Sequence, residues 1–408
     1  MIKNWFKNIG PGPLVAAAFI GPGTVTVCTL AGVNFGFTLL WAMGLSIIAT
    51  IVLQEMSARL GIITQKGLSE IIRSEIKSPI LRGLTIFLIL SAIVIGNAAY
   101  EAGNISGSVL GMETIFGNPM ISYGGFNLNF LSIIIGVIAF SVLYIGNYKV
   151  LERVLVSLVI LMSVSFLLTA IITKPDFSAV FKGLFIPKVT ENNVLTIIGL
   201  IGTTVVPYNL FLHVSLVKEK WHHESDLKYA RKDTVIAVIL GGIVSMCIII
   251  SAAAIDSQNI SSAADLAKGL EPLFGHFAKY FLAIGLFAAG ITSAITAPLA
   301  AAYVATGCLG WSTNMKSHPF RAVWMFILGL GVLFSSIGFK SIEIIKFAQI
   351  TNGLLLPIIA AFLLWVMNKS SILGTYKNTI IQNIIGYVIV GVAVFLGGKS
   401  ILMVLELI

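Results

Sequence analysis

Apolar residues run along this chain in eleven long blocks, near 11–35, 37–58, 84–111, 130–147, 151–173, 195–217, 233–256, 278–308, 320–337, 344–367 and 380–404. Most approach the roughly 20 residues that an α-helix needs to cross the hydrocarbon core of a bilayer. The polar stretches between them are short, the longest being 59–82, 112–129, 174–194, 217–232 and 257–277. This pattern predicts an all-α polytopic membrane protein, a single transmembrane domain over 1–408. A β-barrel would instead show brief segments of alternating residues. The first block is too long for the apolar core of a signal peptide, and ten more follow, so it is expected to be part of the folded protein.

Two blocks are interrupted in corresponding places. The first carries Phe19-Ile20-Gly21-Pro22-Gly23-Thr24, and the sixth carries Thr203-Thr204-Val205-Val206-Pro207-Tyr208-Asn209. Proline lacks an N–H and clashes with the preceding turn, so each block is expected to form two half-helices. Because blocks one and six each open a group of five, the chain reads as a 5+5 inverted repeat. Repeat one covers about 11–173, repeat two about 195–367, and an extra helix lies at about 380–404. Paired interruptions of this kind point to the binding site of a secondary transporter.

Composition and charge narrow the picture. The chain is 57% hydrophobic and 11% charged, with a mean hydropathy of +0.98. A net charge of +9 would suit a nucleic-acid partner, but its placement follows the positive-inside rule. With a cytoplasmic N-terminus, the inner segments hold 18 of the 26 Lys and Arg, and the outer ones the remaining 8. The expected arrangement is therefore a multi-pass protein of the plasma membrane, N-terminus inside and C-terminus outside, with no nucleic-acid partner. Cys28, Cys247 and Cys308 lie in or at the ends of blocks and are expected to be buried free thiols. Glycine pairs such as Gly241-Gly242 and Gly397-Gly398 lack the setting of a phosphate loop, and no cofactor is expected. No nucleophile–base pair or metal triad suggests an enzyme. A monomer is expected.

Four motifs in order carry a family resemblance: Gly10-Pro11-Gly12-Pro13, Leu53-Gln54-Glu55-Met56-Ser57-Ala58-Arg59-Leu60-Gly61, Ile201-Gly202-Thr203-Thr204-Val205-Val206-Pro207-Tyr208-Asn209-Leu210-Phe211-Leu212-His213, and Ala348-Gln349. Through them the whole chain resembles the NRAMP transporters, proton-coupled importers of manganese and ferrous iron. The resemblance implies a LeuT-like fold of eleven transmembrane helices working by alternating access. The family's metal ligands, however, are replaced. Where the family has Asp-Pro-Gly-Asn, this chain has Gly21 and Thr24 at the Asp and Asn positions. Where it has Met-Pro-His, this chain has Val206, Pro207 and Tyr208. Of the family's acidic pair in the third span only Glu101 remains, the other position being Ala98.

Those replacements bear directly on cargo. Transition metals favour imidazole and thioether, and a dehydrated dication needs charge compensation. Gly21 and Val206 offer only backbone carbonyls, and Thr24 a neutral hydroxyl. Gly21 and Gly23 permit close approach to the start of a half-helix, whose positive dipole end suits a carboxylate. Thr24, Thr203, Tyr208 and Asn209 add neutral hydrogen-bonding groups, with Asn97 and Gln349 as further candidate contacts; Thr204 could equally be packing, and Thr351 and Asn352 could equally line the pathway. The expected cargo is therefore a small organic solute bearing a carboxylate or amide. The alternative is a divalent cation (Mn²⁺, Fe²⁺ or Mg²⁺) with altered selectivity, and a non-transporting sensor is a third class.

Glu101 lies mid-span, and Asn97, Glu101 and Asn104 fall on one helix face. No Lys or Arg sits at mid-span to pair with it, so Glu101 is the candidate for proton coupling. His213 matches a family histidine on the proton route, though a core histidine fits it as well. Glu55 and Arg59, spaced i, i+4, are expected to form a structural ion pair. His222 and His223 are expected to be exposed.

Overall fold

The computed structural model describes residues 20–117, 120–123, 126–146, 149–255 and 260–404, and the Gly10–Pro13 motif lies outside them. The first helix, α1 (Pro22–Phe35), starts at the first proline, with Gly21 as an extended N-cap. Then follow α2 (Leu40–Thr64), the short amphipathic α3 (Leu68–Glu75) and α4 (Pro79–Phe116). A hairpin of β1 (Met120–Tyr123) and β2 (Phe126–Asn129) leads to α5 (Phe130–Ile145), α6 (Lys149–Ile172) and α7 (Phe177–Phe185). The second half begins with α8 (Val194–Thr204) and α9 (Pro207–Lys220), separated at the second proline. It continues through α10 (Leu227–Ala252), α11 (Ala278–Leu309), α12 (His318–Ser336), α13 (Ser341–Met367) and α14 (Ile380–Val404).

Among the described residues nine helical stretches, counting the broken α8–α9 as one, are long and apolar enough to cross a membrane. The shorter apolar α5 is a further candidate, while the first half of the expected broken first helix, residues 11–19, lies outside the described residues. Two expectations need correction. The third span is not 84–111 but a 38-residue helix, because Ser78 caps its start, Pro79 suits its first turn and Gly117, at φ 76°, ends it. The stretch 112–129 is not simply a polar loop: β1 and β2 pair antiparallel from Met120↔Asn129 to Tyr123↔Phe126.

Large exposed apolar side chains such as Ile80, Phe87, Ile380 and Phe395 cover the outside of the bundle, where lipid replaces water. The interior relies on small residues. A β-carbon at Gly290 of α11 would fall on Ser108 of α4, and one at Gly111 would meet the Ala283 carbonyl, so these two helices pack almost backbone to backbone. Cys28 and Cys308 are buried free thiols, as expected, whereas Cys247 is half-buried.

The Glu55–Arg59 pair forms at 3.0 Å and belongs to a larger network. The buried Arg59 guanidinium also donates to Asn378 Oδ1 at 2.8 Å and to the Tyr376 carbonyl at 2.9 Å, while Arg231 Nε donates to Glu55 at 2.8 Å. One planar fork thus ties α2 to the segment before α14. Lysine cannot reproduce that geometry. Arg59→Lys should lose two of these hydrogen bonds and about 2 kcal/mol of stability, read as a lower melting temperature of the purified protein.

Candidate functional site

The two breaks meet. Thr24 Oγ1 in the first turn of α1 lies 2.7 Å from Thr203 Oγ1 in the last turn of α8, although 179 residues separate them. Pro22 packs against Gly107 of α4, where a β-carbon would overlap its ring. The third wall is α13. A β-carbon at Gly23 would coincide with the Gln349 carboxamide, and one at Gly202 would fall on the Gln349 carbonyl. Thr24, Thr203, Gln349 and both prolines therefore share one buried junction of α1, α8, α9 and α13.

Its chemistry is set by helix ends. The Gly21 carbonyl accepts from Val25 N (3.2 Å), and the Val206 carbonyl from Asn209 N (3.0 Å), each closing the first turn of its own helix. These carbonyls, the ligands expected from the sequence, are thus partly engaged. The last carbonyls of α8 are not. Pro207 has no N–H to reach back to Thr203, and among the described residues no backbone N–H donates to the carbonyls of Gly202, Thr203 or Thr204. They lie at the negative end of the α8 dipole. The Gln349 Oε1, on a side chain packed against Gly23, has no hydrogen-bond partner among the described residues.

The remaining candidates divide into two groups. Tyr208 is buried and meets Tyr100 edge-on, with ring centroids 5.3 Å apart. Asn209 is fully buried, and its carboxamide has no partner among the described residues, which also holds for Asn97 and for Asn352 Nδ2. Thr204, by contrast, donates to the Leu200 carbonyl at 3.0 Å and contacts Met43 Sδ at 3.5 Å, a packing arrangement. Val206 is buried as the N-cap of α9.

Glu101 is completely buried, as are Asn97 and Asn104 on the same face. Asn104 Nδ2 donates to Glu101 Oε2 at 3.3 Å, and Oε1 has no partner among the described residues. The Glu101 side chain leans on Gly331 of α12, where a β-carbon would overlap its Cγ. It therefore faces a different helix from the one that carries Gln349. His213, four residues beyond Asn209, places Nδ1 against Gln54 Oε1 and leaves Nε2 without a partner among the described residues. In the sequence Gln54 and Gly202 stand out only as members of longer motifs. A glutamine in an apolar helix, and a glycine just before a break, are the signals that could have singled them out. Among the described residues no three His, Cys, Asp or Glu side chains converge.

Helix starts at two prolines, meeting at a buried polar junction within a bundle of long apolar helices, define a transporter of the LeuT-like fold. The family model for natural resistance-associated macrophage protein-like chains matches residues 12–403, and this chain belongs to that Nramp family. A curated relative, the divalent metal cation transporter MntH of Bacillus subtilis, is 28% identical over 95% of this chain and 91% of its own length. The fold is similar to that of a manganese transporter of Eremococcus coleocola, with a TM-score of 0.76, 21% identity and coverage of 98% of this chain and 87% of that one. It is similar as well to MhsT, solved with L-phenylalanine: TM-score 0.60, 16% identity, 96% of this chain and 98% of that one.

Proposed function

We propose that this Nramp-family carrier moves a divalent cation, with its selectivity displaced from soft transition metals toward a hard, partly hydrated ion such as Mg²⁺. The observation that carries this reading is the set of uncharged oxygens on the elements that meet at the junction: three α8 carbonyls that no backbone N–H engages among the described residues, the Thr24–Thr203 hydroxyl pair and Gln349 Oε1. Divalent metals are also the cargo named for the curated relative, which supports a cation over the organic solute expected from the missing ligands. Magnesium keeps several waters and needs few direct oxygen ligands, whereas Val206 withholds the thioether that favours softer metals. The α8 dipole supplies part of the missing negative charge.

In this reading the repeats 11–173 and 195–367 rock about the junction, with the N-terminus cytoplasmic and the C-terminus outside. Glu101 carries the coupling proton at α12, apart from the cation, and His213 with Gln54 lies on the cytoplasmic route from the site. An organic carboxylate remains the second reading. It is favoured by the start of α1, where Gly23 faces an uncharged carboxamide and no acidic side chain stands at Gly21.

Uptake into proteoliposomes separates the two. The cation reading expects saturable Mg²⁺ uptake that Mn²⁺ inhibits only weakly. Glu101→Gln should keep Mg²⁺ exchange but lose its acceleration by an inward proton gradient. If calorimetry detects neither cation and a small carboxylate is taken up instead, the cation reading fails and the organic one stands.

A further inference from the structure

Two cavities share Trp311 as a wall, on the side that the Lys and Arg count assigns to the cytoplasm. One, of about 500 Å³, lies between the inner ends of α4, α11 and α12 and is wholly apolar, with Leu90, Val94, Ala305, Ala322 and Phe326 in its wall. The other, of about 600 Å³, lies at the end of α11 beside α3 and is polar. Arg73, Arg82, Ser74, Thr306, Ser312 and Thr313 line it.

The charge in the polar cavity is positive. Arg73 lies against Gly310, whose φ of 71° ends α11, and among the described residues neither Arg73 nor Arg82 forms an ion pair. Glu70 also lines this cavity, but its carboxylate is engaged by the Gly67 N–H at 3.3 Å and by Lys218 at 3.8 Å. Trp311, half-exposed between the two cavities, is the residue type that settles at the headgroup level of a membrane.

We propose that these two adjacent cavities hold one anionic diacyl phospholipid of the cytoplasmic leaflet, with its phosphate in the Arg73–Arg82 cavity and an acyl chain along the Ala305–Ala322 groove. Each half of the site matches one half of such a molecule. Basic pockets between helix ends on the cytoplasmic side attract anionic headgroups, and the groove lies where hydrocarbon is the solvent. A free phosphate would leave the apolar groove without a role. A zwitterionic lipid would leave the two arginines without a net negative partner.

Native mass spectrometry of the full-length, delipidated protein tests this with phosphatidylglycerol, phosphatidylcholine and inorganic phosphate as probes. Phosphatidylglycerol should be retained over phosphatidylcholine, and R73Q/R82Q should weaken it about thirtyfold, the usual weight of two basic side chains at an anionic surface. Ala322→Trp fills the groove at an exposed position without changing charge, and it should also displace the lipid. The proposal is overturned if R73Q/R82Q binds phosphatidylglycerol as the unaltered protein does, or if phosphatidylcholine is retained equally. It is overturned too if inorganic phosphate displaces the lipid while Ala322→Trp has no effect, which would leave an ion site only.

Discussion

Gly21→Asp combined with Val206→Met is expected to raise manganese affinity by about a hundredfold, a weight that even indirect neighbours of a bound metal can reach. Both positions tolerate the change locally. Gly21 is the extended N-cap of α1 (φ −103°, ψ −174°), a position that favours aspartate. Val206 caps α9 at φ −75° and ψ 120°, which any unbranched residue adopts. The aspartate would add a full negative charge beside the free α8 carbonyls, and the methionine a soft thioether at the second break. Calorimetry should show tight Mn²⁺ binding in the double variant, with Mg²⁺ changed less because thioether does not suit it. Unchanged Mn²⁺ binding would mean that the cargo site is not at the breaks, whatever the cargo is.

What could be read in the sequence follows from which physical signals are local. Apolar run length and two prolines are local, so the many long apolar helices, the interruption at Pro207, the helix start at Pro22 and the junction residues Thr24, Thr203 and Gln349 were all visible. The Thr24–Thr203 contact itself was not, because it depends on how helices 179 residues apart are brought together. Glu101 shows the limit more sharply. Every residue of α4 from Gly96 to Gly111 is buried, so no polar face distinguishes the side toward α12 from the side toward α13. Spacing could put Asn97, Glu101 and Asn104 on one face but not choose the neighbour. The hairpin at 120–129 did carry a local signal, Gly124-Gly125 between two four-residue runs, although it stands between long apolar blocks that dominate the pattern. The Gly21 and Val206 carbonyls looked available because the first-turn acceptors of α1 and α9 cannot be known before the helix starts are placed.

Gly202→Ala is expected to reduce uptake by about a hundredfold, as a displacement of roughly 1 Å at a working site can do. A β-carbon there would fall on the Gln349 carbonyl and lie 2.6 Å from Gly353 N. Both are backbone atoms of α13, so no rotamer change relieves the overlap and the two helices must part. Overpacking of this kind costs about 1–3 kcal/mol, small enough for the bundle to survive. The damage is local: Thr203 would be drawn from Thr24, and Gln349 from Gly23. Gly199, one turn earlier, is the control. A β-carbon there would meet only side-chain tips, Val27 Cγ1 at 3.3 Å and Ile350 Cγ1 at 3.9 Å, so Gly199→Ala should keep most of its uptake. Melting temperatures of both variants would separate misfolding from displacement. If Gly202→Ala transported as well as Gly199→Ala, close seating of α8 on α13 would not be what holds the site together.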